Sequence, residues 1–135
     1  MKYFDRFLVV EDEEIIRRLL ALSFERKNVL ADIAKNGIEA LEMIDRRCLE
    51  GISYKVILTD LRMPLLDGVG LIKEIGKRFE EGRVLRPDIY VLSACPENEE
   101  EFYSLRSSYL IRRVFRKPIS PNKMIEEIIN ESYSI

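Results

Sequence analysis

Val56-Ile57-Leu58-Thr59-Asp60 is the stretch that decides the fold of this chain. Its first four residues are apolar or β-branched, as a strand buried on both faces requires, and the run stops at a carboxylate. A loop carrying Met63-Pro64 and Asp67-Gly68 follows, and apolar periodicity then predicts a helix from about Val69 to Phe79. A buried strand leading through a loop into an amphipathic helix is the repeating unit of a parallel α/β sheet.

The same unit recurs on both sides. Phe7-Leu8-Val9-Val10 is a buried strand followed by a helix through Glu14 to Arg26. In that helix Ile15, Leu19 and Leu22 recur at helical spacing and are expected to include core positions, with Ile16, Leu20 and Phe24 widening the apolar stripe. Leu30 to Ala34 is a weaker strand, and Asn36-Gly37 turns into a helix reaching about Cys48. Downstream, Pro87 precedes Ile89-Tyr90-Val91-Leu92-Ser93, and an acidic stretch after Pro96 leads to a helix from Glu99 to Ser107. Val114-Phe115-Arg116 reads as a short last strand before Lys117-Pro118. Ser120 caps a final helix that has Pro121 at its first position, contains Ile125, Ile128 and Ile129, and runs to about Asn130. Five strand–helix units, with no repeat, linker or low-complexity tract between them, predict one α/β domain over residues 1–135 with a central parallel sheet and helices on both faces.

Composition narrows the function classes. The chain has 135 residues, 47% hydrophobic and 34% charged, the balance of an ordinary globular domain. A net charge of -2 argues against nucleic-acid binding despite the cluster Arg112, Arg113, Arg116 and Lys117. Apolar runs of only a few residues predict no membrane span, and the first residues lack the features of a signal peptide, which makes a cytoplasmic location the expectation. With no histidine in the chain, Ser-His and Cys-His catalysis and a role as histidine phosphodonor are excluded, and a zinc site built on Cys48 and Cys95 is not expected. Those two cysteines are also not expected to pair. One ends a helix running away from the sheet's carboxyl rim, and the other follows a strand that ends on it.

Ligands of open parallel sheets bind outside the carboxyl ends of the strands, so the residues there carry the chemistry. Glu11 and Asp12 follow the first strand, Asp60 the third, Ser93 ends the fourth, and Lys117 lies just beyond the fifth. Singly, each has a structural account. The acidic residues 11–14 suit a helix amino terminus, Asp60 a turn, Ser93 a strand end, and Lys117 a solvated surface. Their joint placement on one rim is what structural accident does not supply. Clustered carboxylates repel unless a cation joins them, an all-oxygen site suits Mg²⁺ with Mn²⁺ as an alternative, and a carboxylate can act as nucleophile toward a phosphoryl group.

Val9-Val10-Glu11-Asp12, Thr59-Asp60-Leu61-Arg62-Met63-Pro64, Asp67-Gly68, Ser93-Ala94 and Lys117-Pro118, in this order, resemble the receiver domains of two-component response regulators, and the likeness spans essentially the whole chain. It implies a flavodoxin-like (βα)5 fold with strand order 2-1-3-4-5. It further implies that Asp60 is the phosphoacceptor, Asp12 a direct Mg²⁺ ligand, Glu11 a holder of metal-bound water, and the Arg62 carbonyl a further ligand. Ser93 would donate to the phosphoryl group, and Lys117 would pair with it beside a cis Lys117-Pro118 bond. Implied partners are a sensor histidine kinase or histidine phosphotransfer protein, docking a helix along the first helix at Ile16 and Leu20, and a downstream effector. Neither nucleic acid nor membrane is expected as a partner of this domain. The likeness is to stand-alone chemotaxis- or sporulation-type regulators. At this length no room remains for an output domain, so the expectation is a single-domain regulator or shuttle, or a receiver excised from something larger.

Three positions depart from the family pattern. Glu11 stands where aspartate is commoner. Arg62, two residues past the acceptor, is expected to alter the lifetime of the phosphorylated state. Val114 occupies the place of an aromatic switch residue, with Phe115 one position later, which puts an inward-swinging aromatic in doubt; Tyr109 is an alternative from the adjoining loop. Met63-Pro64 and Asp67-Gly68 are expected to shape the loop, the glycine by relieving backbone strain, and Cys95 to be an inert thiol. A degenerate receiver serving as a phosphorylation-independent interaction module is the competing reading. A haloacid-dehalogenase-type phosphohydrolase is disfavoured because Arg62 stands where its second aspartate would be, and a flavin-binding protein because Glu11 to Glu14 would repel the phosphate.

Overall fold

Alternate residues of a strand leave the sheet on opposite faces, and in this protein both sets are apolar. Phe7 and Val9 enter one core with Val56, Leu58, Tyr90, Leu92 and Phe115. Leu8 and Val10 enter the other with Ile57, Ile89 and Val91. A sheet apolar on both faces needs helices on both faces, and the chain supplies them. The computed structural model describes residues 3–94 and 111–132, with side chains from Arg6 onward. In chain order these form β1 (Tyr3–Val10), α1 (Glu14–Arg26), β2 (Ala31–Ala34), α2 (Gly37–Leu49), β3 (Ile52–Asp60), α3 (Gly68–Glu80), β4 (Asp88–Ser93), β5 (Ile111–Arg116) and α4 (Pro121–Ser132). The expected helix over 99–107 lies outside the described residues, as do Cys95 and Tyr109.

All strand pairs are parallel and the order is β2-β1-β3-β4-β5, the flavodoxin-like arrangement expected. Ala40, Ile44, Val69, Leu71, Ile72 and Ile75 from α2 and α3 close one core. Leu20, Phe24, Met124, Ile125 and Ile128 from α1 and α4 close the other. Helix starts follow local chemistry: the Asn36 side chain accepts from the Glu39 amide at 2.8 Å, and Asp67 from the Gly70 amide at 2.8 Å. Among the described residues no helix is long and apolar enough to cross a membrane.

The first helix corrects the sequence reading. Ile15, Leu19 and Leu22 are 75%, 46% and 47% exposed, whereas Leu20 and Phe24 are buried and Ile16 packs on the core. The helix carries two apolar stripes about 100° apart, since successive residues differ by that angle. Contact with the sheet and with α4, where Ser23 Oγ donates to Asn122 Oδ1, selects the 16-20-24 stripe.

β1 and β3 begin earlier than their apolar runs suggest and are irregular where they do. The register shifts twice, around Asp5 and around Lys55, as β-bulges do. Tyr54 thereby joins the α2/α3 core although Val56 and Leu58 point to the other. Its hydroxyl donates to Asp32 at 2.6 Å, and Asp32 also accepts from Arg47 at 2.9 and 3.1 Å and from Arg6 at 3.3 Å. Burial works to raise the Asp32 carboxyl, but the hydrogen bonds from Arg47 and Tyr54 and the two positive charges outweigh it and hold it below the usual carboxylate range. On the opposite face Tyr90 donates to Glu131 at 2.6 Å, which Arg113 also binds at 2.8 Å. Cys48 is unpaired, its thiol donating to the Arg83 carbonyl at 2.9 Å.

Candidate functional site

The parallel register levels the strand ends. Val10 lies opposite Thr59, Asp60 opposite Leu92, and Ser93 opposite Arg116. The residues that follow or close these strands therefore meet on one rim. The Glu11 amide makes the last main-chain bond of its strand, to Ala34 at 3.0 Å, and its side chain turns inward. The Lys117 amide donates to the Ser93 carbonyl at 2.9 Å, which ties the ends of β4 and β5 together. The Lys117-Pro118 bond is cis, as the resemblance implied.

One carboxylate oxygen from each of Glu11, Asp12 and Asp60 lies within 4.8 Å of the others, with Glu11 and Asp60 buried and Asp12 exposed. The Lys117 ammonium stands 3.1 Å from Asp60 Oδ1 and 4.0 Å from Glu11 Oε1. Among the described residues, no donor other than the Lys117 ammonium reaches the four buried carboxylate oxygens of Glu11 and Asp60. Burial first, then the adjacent Asp60, pushes the Glu11 carboxyl up to about 9. Burial raises Asp60 as well, against the pull of Lys117, whose own ammonium is raised by the two carboxylates in spite of its burial. One lysine does not neutralise two buried carboxylates and a neighbouring third. Orphaned oxygens with excess negative charge are the donor set that fits a hard divalent cation.

Beside this cluster lies a cleft of about 150 Å³ lined by Asp60, Arg62, Leu92, Ser93, Ala94 and Lys117. Asp60 thus borders both the acidic cluster and an open space with a hydroxyl and an ammonium on its walls. Arg62 is exposed on that rim. Ser93 is buried to 7% exposure, and Val114 packs against the α2/α3 core. Phe115 is fixed in the opposite core, stacked on Tyr90 at 6.1 Å, so no aromatic occupies the Val114 position.

Two supports of Asp60 were not read from the sequence as such. Thr59 Oγ1 donates to the Asp60 carbonyl at 2.8 Å, although Thr59 reads only as a strand residue. Gly68 was expected to relieve strain. Instead it permits a close approach, since a Cβ there would stand 2.2 Å from the Asp60 carbonyl oxygen. The left-handed backbone of the loop falls on Leu65, at φ 71° with its side chain 81% exposed.

Residues 7–129 match the family model described as response regulator receiver domain. The transcriptional regulatory protein ResD of Bacillus subtilis is 42% identical over 123 residues, covering 89% of this chain and 45% of that protein. SrrA of Staphylococcus aureus is 32% identical, covering 90% of this chain and 45% of that protein. The chain spans less than half the length of these curated relatives. Among solved structures, the receiver domain of Francisella response regulator 1452 superposes with a TM-score of 0.73 at 26% identity, covering 95% of this chain and 96% of that one. The chemotaxis protein CheY4 of Vibrio cholerae gives a TM-score of 0.74 at 20% identity, covering 94% and 98% respectively, a likeness of fold. The order of strands, the acidic rim and the match over 7–129 lead to one conclusion: the chain belongs to the response regulator receiver domain family.

Proposed function

We propose that Asp60 takes a phosphoryl group from a partner phosphohistidine in two-component signalling. The observation that carries this reading is the buried Glu11–Asp60 pair, with no donor but Lys117 among the described residues, beside an open cleft that Ser93 also lines. An Asp60 oxygen attacks phosphorus in line while the P–N bond to the donor imidazole breaks. The bonding electron pair leaves with that nitrogen, which takes up a proton. Lys117 Nζ and the Ser93 hydroxyl stabilise the charge on the phosphoryl oxygens. Glu11, Asp12, Asp60 and the Arg62 carbonyl are the residues that would hold Mg²⁺ or Mn²⁺, Glu11 through a water. Bound there, the cation would offset negative charge on the phosphoryl oxygens.

The donor is a sensor histidine kinase or a histidine phosphotransfer protein, and the output passes to a downstream effector. The docking surface on α1 is the exposed stripe Ile15, Leu19 and Leu22, in place of the partly buried Ile16 and the buried Leu20 that the sequence suggested. Phosphorylation shifts a two-state equilibrium that involves the segment after Ser93 and α4. Arg62, on the cleft wall, sets the lifetime of the acyl phosphate; an Arg62→Ala variant with an unchanged dephosphorylation rate would remove that role.

Intact mass after incubation with acetyl phosphate tests the central reading. A phosphoryl adduct is expected with Mg²⁺, and none in chelator or in Asp60→Asn. If the parent protein gains no adduct and binds neither Mg²⁺ nor a beryllofluoride mimic, the domain is a phosphorylation-independent interaction module instead.

A further inference from the structure

We propose that Arg17 is a positioning residue for the acidic pair, its guanidinium holding the loop backbone that aims the Glu11 and Asp12 carboxylates at the cation site. The inference rests on the reading of that cluster as a divalent-cation site.

Between the end of β1 and the start of α1 the main chain has few partners. The Glu11 amide is bound to Ala34. The first helical bond runs from the Arg17 amide to the Glu13 carbonyl at 2.9 Å, and Glu13, at the N-cap, makes no side-chain capping bond. The carbonyls of Glu11 and Asp12 fall in the gap between ladder and helix. Arg17 Nη1 takes both, donating to Glu11 at 3.0 Å and to Asp12 at 2.7 Å. Arg17 is half-buried, one turn into α1, so the bonds lock the loop to a rigid element.

The geometric consequence follows from covalent structure. The Cα–Cβ direction of each residue is fixed by the peptides on either side of it. Pinning two consecutive carbonyls pins the directions in which two consecutive carboxylates leave the chain. Asp12 gains most, because its side chain is exposed and lacks the packing that holds Glu11. A bound cation needs its ligands convergent, and a loop that must be ordered on binding lowers affinity by that ordering cost.

A purely electrostatic role predicts the opposite sign. Arg17 bonds main-chain oxygens, and as a bare positive charge beside the cluster it would compete with a cation. Removing it would then tighten cation binding. Removing a positioning residue loosens it.

The experiment is calorimetric titration of Mg²⁺ alone into the parent, Asp12→Asn, Arg17→Met and Arg17→Lys, with melting in EDTA to confirm that each is folded. Arg17→Met is expected to bind Mg²⁺ about tenfold more weakly, the order of effect of losing charge-assisted hydrogen bonds. Arg17→Lys should stay within about threefold of the parent, because an ammonium also gathers its donors on one nitrogen at similar reach. Adduct formation from acetyl phosphate by Arg17→Met should recover toward the parent as Mg²⁺ is raised to saturation. Should Arg17→Met not fold, Arg17→Gln, too short to reach both carbonyls, takes its place with the same expectation. Affinity in the neutral variant equal to or tighter than the parent's, with Asp12→Asn weakened, overturns the positioning role alone. A parent that does not bind Mg²⁺ overturns the site reading and this inference together.

Discussion

Lys117 Nζ lies 3.1 Å from Asp60 Oδ1 and 4.0 Å from Glu11 Oε1, one cation against two buried carboxylates. The imbalance makes the two sides of this contact respond oppositely to removal. In Mg²⁺-free buffer above about pH 9, where Glu11 as well as Asp60 is ionised, Asp60→Asn should raise stability by about 1–2 kcal/mol, since it removes a buried charge that nothing fully offsets. Lys117→Met should lower it by a similar amount, leaving the pair without its counter-charge. Urea denaturation in EDTA reads both, and equal signs for the two variants would show that the cluster is not electrostatically frustrated. Added Mg²⁺ should stabilise the parent and leave Asp60→Asn nearly unmoved.

Gly68 sits against the acceptor's backbone, with 2.2 Å between its notional Cβ and the Asp60 carbonyl oxygen. Gly68→Ala forces main chain against main chain, where no side chain can swing aside. A loss of about 2–3 kcal/mol is expected, together with slower adduct formation as Asp60 is displaced. Gly82, where a Cβ would meet nothing within 4 Å but φ is +73°, is the contrasting control: alanine there costs stability through backbone strain and leaves the adduct rate alone.

The exposed stripe of α1 separates docking from folding. Ile15→Ala with Leu19→Ala should change stability by less than about 0.5 kcal/mol each, as surface substitutions do. The pair should slow transfer from a phosphohistidine partner while leaving reaction with acetyl phosphate intact. Leu20→Ala, in the core, should cost about 2–4 kcal/mol. Equal transfer rates for parent and double variant would move the docking surface elsewhere.

Asp32 ties β1, β2, α2 and β3 together through Arg6, Arg47 and Tyr54. Its carboxyl is depressed in the folded state, so its contribution is present above the unfolded value near 3.8 and is lost as pH falls through the lower folded one. Asp32→Asn should therefore cost about 2 kcal/mol at neutral pH, with the gap to the parent closing below about pH 4. A gap independent of pH would assign the loss to packing rather than charge.

The strand ends were legible in the sequence because a buried parallel strand is a continuous apolar run, and its end is where the run meets a residue such as Asp60, Glu11 or Lys117. Relations that depend on packing were not. Helical periodicity gives α1 two stripes, and only its seat on the sheet and α4 chooses Leu20 over Leu19. The early starts of β1 and β3 pass through Arg6 and Lys55, whose polarity hides a ladder that two bulges keep in step. Gly68 reads as a turn glycine until Asp60 is seen beneath it, and Arg17 as a solvated helix charge until its reach to two carbonyls is measured.

The hydrogen-bonded tyrosines Tyr54 and Tyr90 have an optical consequence. The chain contains no tryptophan, so its intrinsic emission comes from tyrosine. Each of these two hydroxyls faces a carboxylate at 2.6 Å, an arrangement that drains the excited phenol through proton transfer. Both should be dim in the folded protein and brighten on unfolding. Because Tyr54 belongs to the α2/α3 core and Tyr90 to the α1/α4 core, substituting one by phenylalanine removes its brightening from the unfolding signal; the other four tyrosines of the chain are common to both variants, so the difference between the two variants reports the two faces of the sheet separately.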